Sequence, residues 1–129
     1  MLSKITYTGS FLCTTATAHI GYGTGAGGTV TQATSKATAF TLSKPCGTIT
    51  FAGDALAANT GVASTWTNTE IAATDNVVWQ HVSGGTIGAY AINCNPGAGS
   101  ATITLRNITG GSLTETPVFR FTVLKGVNA

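Results

Sequence analysis

The chain has 129 residues, a length that suits a single domain with a buried core. Only 8% of its residues are charged, against about 25% in typical soluble domains, and 25 threonines supply much of its polarity instead. The net charge of +2 comes from six scattered basic residues and four acids, which excludes a basic stripe for nucleic acid. No apolar run approaches the roughly 18 residues of a membrane span, so we expect neither nucleic acid nor a membrane as a partner.

The low charge also bears on assembly. Few charges leave little to keep an exposed surface solvated and monomeric. We therefore interpret the surface as partly covered by copies of the same chain or by a larger assembly, the alternative being an ordinary threonine-rich β-domain. The first residues contain Lys4, but polar residues at positions 6–10 interrupt any apolar stretch, so we expect no signal peptide and synthesis in a cytoplasm.

Residues 21–51 are rich in glycine, threonine and alanine, and they cannot be ordered by their own apolar burial. They contain a literal Gly-x-Gly-x-x-Gly match at Gly23, Gly25 and Gly28. A nucleotide cradle needs a helix after the glycines and an acid about 20 residues on, and neither is present. The glycines therefore indicate close backbone contacts in an extended segment.

We predict an extended Gly/Thr-rich N-terminal arm over residues 1–41 and a folded domain over residues 42–129. Extended arms bind through main-chain hydrogen bonds to sheet edges, where glycine permits close approach. The candidates for these assembly contacts are Gly23, Gly25, Gly27, Gly28, Thr29, Val30 and Gln32.

After the arm, the apolar residues alternate as in β-strands. Ile49 and Phe51 share one face of the first such segment, and residues 62–68 alternate around a tryptophan. Residues 76–82 are apolar on both faces, which predicts a strand in the centre of its sheet.

The clearest half-buried strand is residues 101–107, with Ile103 and Leu105 pointing inward. Residues 117–124 follow after a short Gly-Gly connection and alternate around Phe121. We predict that these two strands form a hairpin. Five or six short strands without an amphipathic helix predict an all-β fold, namely an antiparallel β-sandwich of jelly-roll or Ig-like type.

The chain resembles a group of small bacteriophage and prophage virion proteins. The resemblance covers about residues 21–125, leaves out residues 1–20, and implies a structural role in the virion with no catalytic residue carried over. Its motifs are GGTVTQ at 27–32 followed by Ser35 and Lys36, IAATD at 71–75, and RNITGG at 106–111.

The residues themselves also indicate no enzyme. Glu70 and Asp75 are the only neighbouring acids, and they fit turn and cap positions better than the facing carboxylates of a glycosidase. His81 is in phase with Val77 and Trp79, as expected of a packed histidine. We expect no catalytic residue, no cofactor and no metal.

The three cysteines are far apart and lack Cys-x-x-Cys spacing, so a zinc site is not expected. We interpret them as buried, reduced thiols that act as small apolar residues, and leave open one disulfide, within the chain or between subunits, should the protein meet an oxidising medium. They are Cys13, Cys46 and Cys94.

Two classes of function stay open. In the first, the chain is a capsid decoration (cement) protein, a homotrimer that stabilises the head by binding the major capsid protein. In the second, it is a tail or head fibre tip that binds a host surface protein or glycan, with Trp66, Trp79 and Tyr90 as stacking residues. We favour decoration because the chain has no repetitive fibre shaft, and a small tail or baseplate component is a third option.

Overall fold

The computed structural model describes Gly9 and residues 13–128, and this part of the chain is all-β. Two packed four-stranded sheets form a sandwich-like fold, with strand order β1-β3-β8-β5 in sheet A and β2-β4-β7-β6 in sheet B. The prediction of an all-β fold is confirmed. The strands are β1 Gly27–Thr31, β2 Phe40–Thr41, β3 Cys46–Thr50, β4 Gly61–Thr67, β5 Asn76–Ser83, β6 Tyr90–Gly97, β7 Ser100–Asn107 and β8 Val118–Leu124.

Both sheets are mixed, so the prediction of a purely antiparallel sandwich is wrong. β1 pairs parallel with β3 and β2 pairs parallel with β4, whereas the other neighbours are antiparallel. The cause is the path of the chain, which alternates between the sheets from β1 to β6. Strands next to each other in sequence are therefore rarely partners, and within the described residues only β6 and β7 form a hairpin.

Two strands that the sequence placed in the arm, β1 and β2, belong to the sheets. All five residues of β1 pair with β3, and β2 pairs with the end of β4. Phe40 is 6% exposed and joins the core. β1 and β2 thus pair with strands that lie beyond the predicted boundary at residues 41/42, and this long-range pairing orders residues that their own composition could not. Residues 1–8 and 10–12 of the predicted arm lie outside the described residues.

The core lies between the two sheets and consists of the side chains that point inward, which alternate along each strand with outward ones. The inward faces predicted for Ile103 and Leu105 are confirmed, since both are buried, and Ile49 and Phe121 are buried as well. The centre is aromatic: Trp66 meets the edge of Phe121 with ring centroids 4.5 Å apart. Burying each such side chain contributes about 1.5–3 kcal/mol, which makes this cluster the main source of stability.

Two predicted strand positions are wrong. β5 is an edge strand of sheet A rather than a central one, and the apolar Val78 on its outer face is 53% exposed. β8 does not pair with β7, because residues 108–117 carry the chain from sheet B across to sheet A. On the way, Leu113 forms an isolated bridge with Leu56.

Candidate functional site on the outer face of sheet A

The outer face of sheet A carries short polar side chains and one cation. The register of the four strands aligns one residue from each in a row across the sheet, and the side chains of this row point away from the core. Arg120 is the charged member and is exposed. The row consists of Thr29, Thr48, Arg120 and Gln80.

Residues 20–26, which we call the docked segment, lie against this face. The hydroxyl of Tyr22 donates a hydrogen bond of 2.5 Å to the carbonyl of Val123 in β8. The N–H of Val123 donates to the carbonyl of Pro45 at 2.8 Å, and the antiparallel pattern calls for a second bond from residue 45 back to Val123. Proline has no N–H, so Tyr22 supplies the missing donor.

A groove of about 640 Å³ runs between the docked segment and the sheet. Tyr22 is 44% exposed at this groove and Arg120 is exposed beside it. An aromatic ring, a guanidinium group and threonine hydroxyls can bind a partner through stacking, charge and hydrogen bonds. The lining residues are Ile20, Gly21, Tyr22, Gly27, Gly28, Thr29, Cys46, Gly47, Thr48, Arg120, Phe121 and Thr122.

The predicted assembly glycines divide into two groups. Gly23 and Gly25 are exposed in the docked segment, with open space around them. Gly27 and Gly28 lie in β1, where a Cβ on Gly28 would come within 2.9 Å of Leu42 Cδ1. A Cβ on Gly47 of β3 would lie 2.1 Å from the carbonyl oxygen of Gly28, so the close approach of β1 to β3 requires glycine there. Of the neighbouring candidates, Thr29 faces outward and Val30 packs against the core.

Gln32, another assembly candidate, is buried and holds the chain after β1 in place. Its side-chain amide donates to the carbonyls of Lys36 at 3.0 Å and Thr38 at 2.6 Å. Its side-chain oxygen accepts a hydrogen bond from the N–H of Ala52. These bonds use the polar groups of Gln32 within the domain, so its side chain does not contact a partner in this state.

Lys36 is a buried cation that sequence reasoning did not single out as a site. Its side chain is 1% exposed, and its ammonium group donates to the carbonyls of Ala52, Asp54 and Glu115. The carboxylate of Asp54 lies 3.5 Å from Lys36 Nζ and also accepts the N–H of Lys36 at 2.7 Å. A buried charge is tolerated only when it is paired and hydrogen-bonded in this way. The sequence offered one indication of this role, namely that Lys36 is the only charged residue in an otherwise uncharged stretch, residues 21–43.

The three predicted stacking residues lie in or at the core. Trp66 has no exposed surface and stacks on Phe40, with ring centroids 6.4 Å apart. Tyr90 is buried and Trp79 is half-buried against Trp66. Burial raises the pKa of Tyr90, and its hydrogen bond to Glu115 adds to that shift. Tyr22 is the aromatic ring that this surface presents instead.

Asp75 is a cap acid, as the sequence indicated. Its carboxylate accepts the N–H groups of Ala72 and Gly126, and the ammonium group of Lys125 lies 2.7 Å away. The hydrogen bond from Lys125 lowers the pKa of Asp75, partly opposed by burial. Its oxygens therefore help to hold the chain after β8 in place.

Glu115 joins the loop after β5 to the connection before β8. It accepts the N–H and the hydroxyl of Thr86 and the hydroxyl of Tyr90. The bond from the Thr86 N–H is the main cause that lowers the pKa of Glu115. This carboxylate therefore acts as a hydrogen-bond acceptor that holds the loop after β5 in place.

His81 is packed, as its phase with Val77 predicted. Its ring stacks on Phe119 at a centroid distance of 4.8 Å. Nε2 lies 3.0 Å from the carbonyl oxygen of Ser83 and 2.7 Å from that of Gly84, so Nε2 carries the proton. The histidine side chain thus holds the bulged end of β5 in place.

All three cysteines are free thiols of intermediate exposure, so they are less buried than the sequence interpretation expected. Cys46 lines the groove, and Cys94 packs against the core. Burial raises the pKa of the Cys94 thiol, with a smaller opposing effect from Trp79. In the described part of the chain, no group of three or more His, Cys, Asp or Glu residues is placed to hold a metal ion.

The fold and this face define an all-β, two-sheet sandwich with a groove on the outside of one sheet. Comparison of the chain with protein-family models, with curated proteins and with solved structures found no match. Over Gly9 and residues 13–128, no helix is long and apolar enough to cross a membrane.

Proposed function

We propose that the protein is a structural component of a bacteriophage virion, namely a capsid decoration protein that binds the major capsid protein as an oligomer. The observation that carries the proposal is the outer face of sheet A, with its groove and docked segment but few charges. The sequence resemblance to phage virion proteins supports the same conclusion. Large apolar side chains are also exposed, among them Ile20 and Val78, and such surface is usually covered in an assembly.

The groove suits an extended segment of a coat subunit. Tyr22 offers a ring, and Arg120 offers a guanidinium group that can form paired hydrogen bonds with a carboxylate. Gly21 at the groove has open space beside it, which lets a partner backbone approach closely. The affinity for the coat subunit then comes from many uncharged contacts and one charged group, Arg120. Such binding suits a protein that stays attached to the capsid.

The experiment adds purified protein to empty capsids and measures copies bound per hexamer and the thermal tolerance of the particles. We expect saturation at a fixed ratio and a higher disruption temperature. Arg120→Ala should weaken binding, whereas Arg106→Ala, at an exposed arginine on the outer face of sheet B, should bind like the unchanged protein. Antibody labelling found only at the tail would contradict decoration.

The exposed ring of Tyr22 favours one alternative, a fibre tip that binds a host glycan by stacking. A glycan array and competition of phage adsorption by free protein test it. Tyr22→Ala removes the stacking ring and should lose glycan binding. Adsorption that is unaffected by saturating free protein would rule against this alternative.

A further inference from the structure

β5 is an edge strand without the features that usually protect a sheet edge. Natural edges are kept short, or carry charged residues or proline, so that they do not pair with other chains. β5 has eight residues, none of which is charged or proline. Among the other edge strands, β2 has only two residues and β6 contains Pro96, whereas β1 also lacks charge and proline but is shorter, with five residues.

The hydrogen-bonding pattern shows which β5 groups face outward. Because the N–H of Val123 bonds to Pro45 beside β3, its neighbours in β8, Thr122 and Leu124, direct their backbone groups toward β5. Thr122 is opposite Val78, so the backbone groups of Val78 bond to β8, as do those of Asn76 and Gln80, two residues to either side. The N–H and C=O groups of the others point to the open edge, where no described residue pairs with them. These are Val77, Trp79 and His81.

We propose that β5 pairs antiparallel with β5 of a second copy of this chain, around a two-fold axis at Trp79. In this register Val77 lies opposite His81 of the second copy, and Trp79 lies opposite its own counterpart. All three open-edge residues then form hydrogen-bonded pairs, so the edge is self-complementary, as a two-fold interface requires. The two four-stranded sheets A become one continuous sheet.

The charges and the apolar side chains near the edge also fit a second copy. On the outer face, Val78 comes opposite Gln80 of the other chain, so no like charges meet. The nearest cation, Arg120, sits one strand back in each copy, which puts the two guanidinium groups about three strand spacings, or ~14 Å, apart and beyond the screening length. Leu124 is diagonal to Val78 and 51% exposed, and the added strand covers part of this apolar patch.

The proposed β5–β5 contact does not rest on the proposed role in a virion, because the purified protein alone should form the dimer. It closes after two copies, since each uses the same edge, and it therefore differs from the homotrimer expected from the sequence.

The test compares the full chain with Val78→Lys and Thr102→Lys by sedimentation equilibrium. Val78 points outward at the edge, so a lysine there blocks pairing without touching the core, and Thr102 is the matched exposed position on the central strand β7. We expect a dimer for the unchanged protein and for Thr102→Lys. Val78→Lys should raise the dissociation constant about tenfold or more. Gln80→Lys is a second blocking variant, and the unfolding temperature checks that each variant folds.

Hydrogen exchange locates the contact. The amides of Val77, Trp79 and His81 should exchange slowly and become slower as protein concentration rises, and this dependence should vanish in Val78→Lys. A monomer at ~100 µM, corresponding to a contact weaker than about 5.5 kcal/mol, would overturn the proposal. So would a trimer, a dimer that both blocking variants leave intact, or concentration-dependent protection on β1 instead.

Discussion

The hydroxyl of Tyr22 donates a hydrogen bond to the carbonyl of Val123, 101 residues further along the chain. The bond fills the place of the N–H that Pro45 lacks, and it holds the docked segment beside the ends of β3 and β8. One proline and one tyrosine thus decide where the docked segment meets the sheet.

Tyr22→Phe should lower the free energy of unfolding by about 1 kcal/mol or less, because it removes one partly exposed hydrogen bond. Pro45→Ala offers Val123 a backbone donor, so the cost of Tyr22→Phe should shrink in the Pro45→Ala background. Urea unfolding of the four proteins of this cycle measures the difference. Equal costs in both backgrounds would contradict the assigned role of Tyr22.

Lys36→Met should destabilise the protein by about 2–4 kcal/mol, because three buried carbonyls lose their shared donor and Asp54 loses its partner. Lys44→Met, at a half-buried lysine, is the control and should cost about 1 kcal/mol or less. Urea unfolding measures both. A stable Lys36→Met protein would mean that methionine packing offsets the lost bonds.

Asn107→Asp should cost more than about 3 kcal/mol. The buried side-chain amide of Asn107 donates to the carbonyls of Leu56, Ala57 and Gly111, and a carboxylate would place a charge against three acceptors. Asn93→Asp, at an exposed position of β6, should change stability by about 0.5 kcal/mol or less. Thermal unfolding at pH 7 compares the two variants, and equal losses would show that burial of the amide is not the cause.

Asp75 should make the protein acid-sensitive. Its pKa in the folded state is lowered from 3.8, chiefly by Lys125, so its ionised form stabilises the fold. That contribution is fully present above the ordinary pKa and is lost as the pH falls through the lower pKa of the folded state. Unfolding temperatures between about pH 5 and pH 2 should therefore fall less steeply for Asp75→Asn than for the unchanged protein. Parallel curves would show that Lys125 does not act through this carboxylate.

Much of the strand content was predictable because side-chain alternation is a local property. The inward residues Ile103 and Leu105 of β7, and Phe121 of β8, follow from a period of two without knowledge of any partner strand. The burial of Lys36 was not predictable, because the three carbonyls that accept hydrogen bonds from its ammonium group lie 16, 18 and 79 residues away in the sequence.

The sequence by itself determined that this chain is β-structured, which faces of its strands are apolar, and that its surface carries few charges. Only the tertiary structure decided which strands pair, and it therefore decided where the glycine-rich residues lie. β1 is held by parallel pairing to β3, and β5 lies at an edge although both of its faces are apolar. The physical reason is that alternation specifies a face but not a neighbour, since a hairpin and a crossing between sheets satisfy the same pattern.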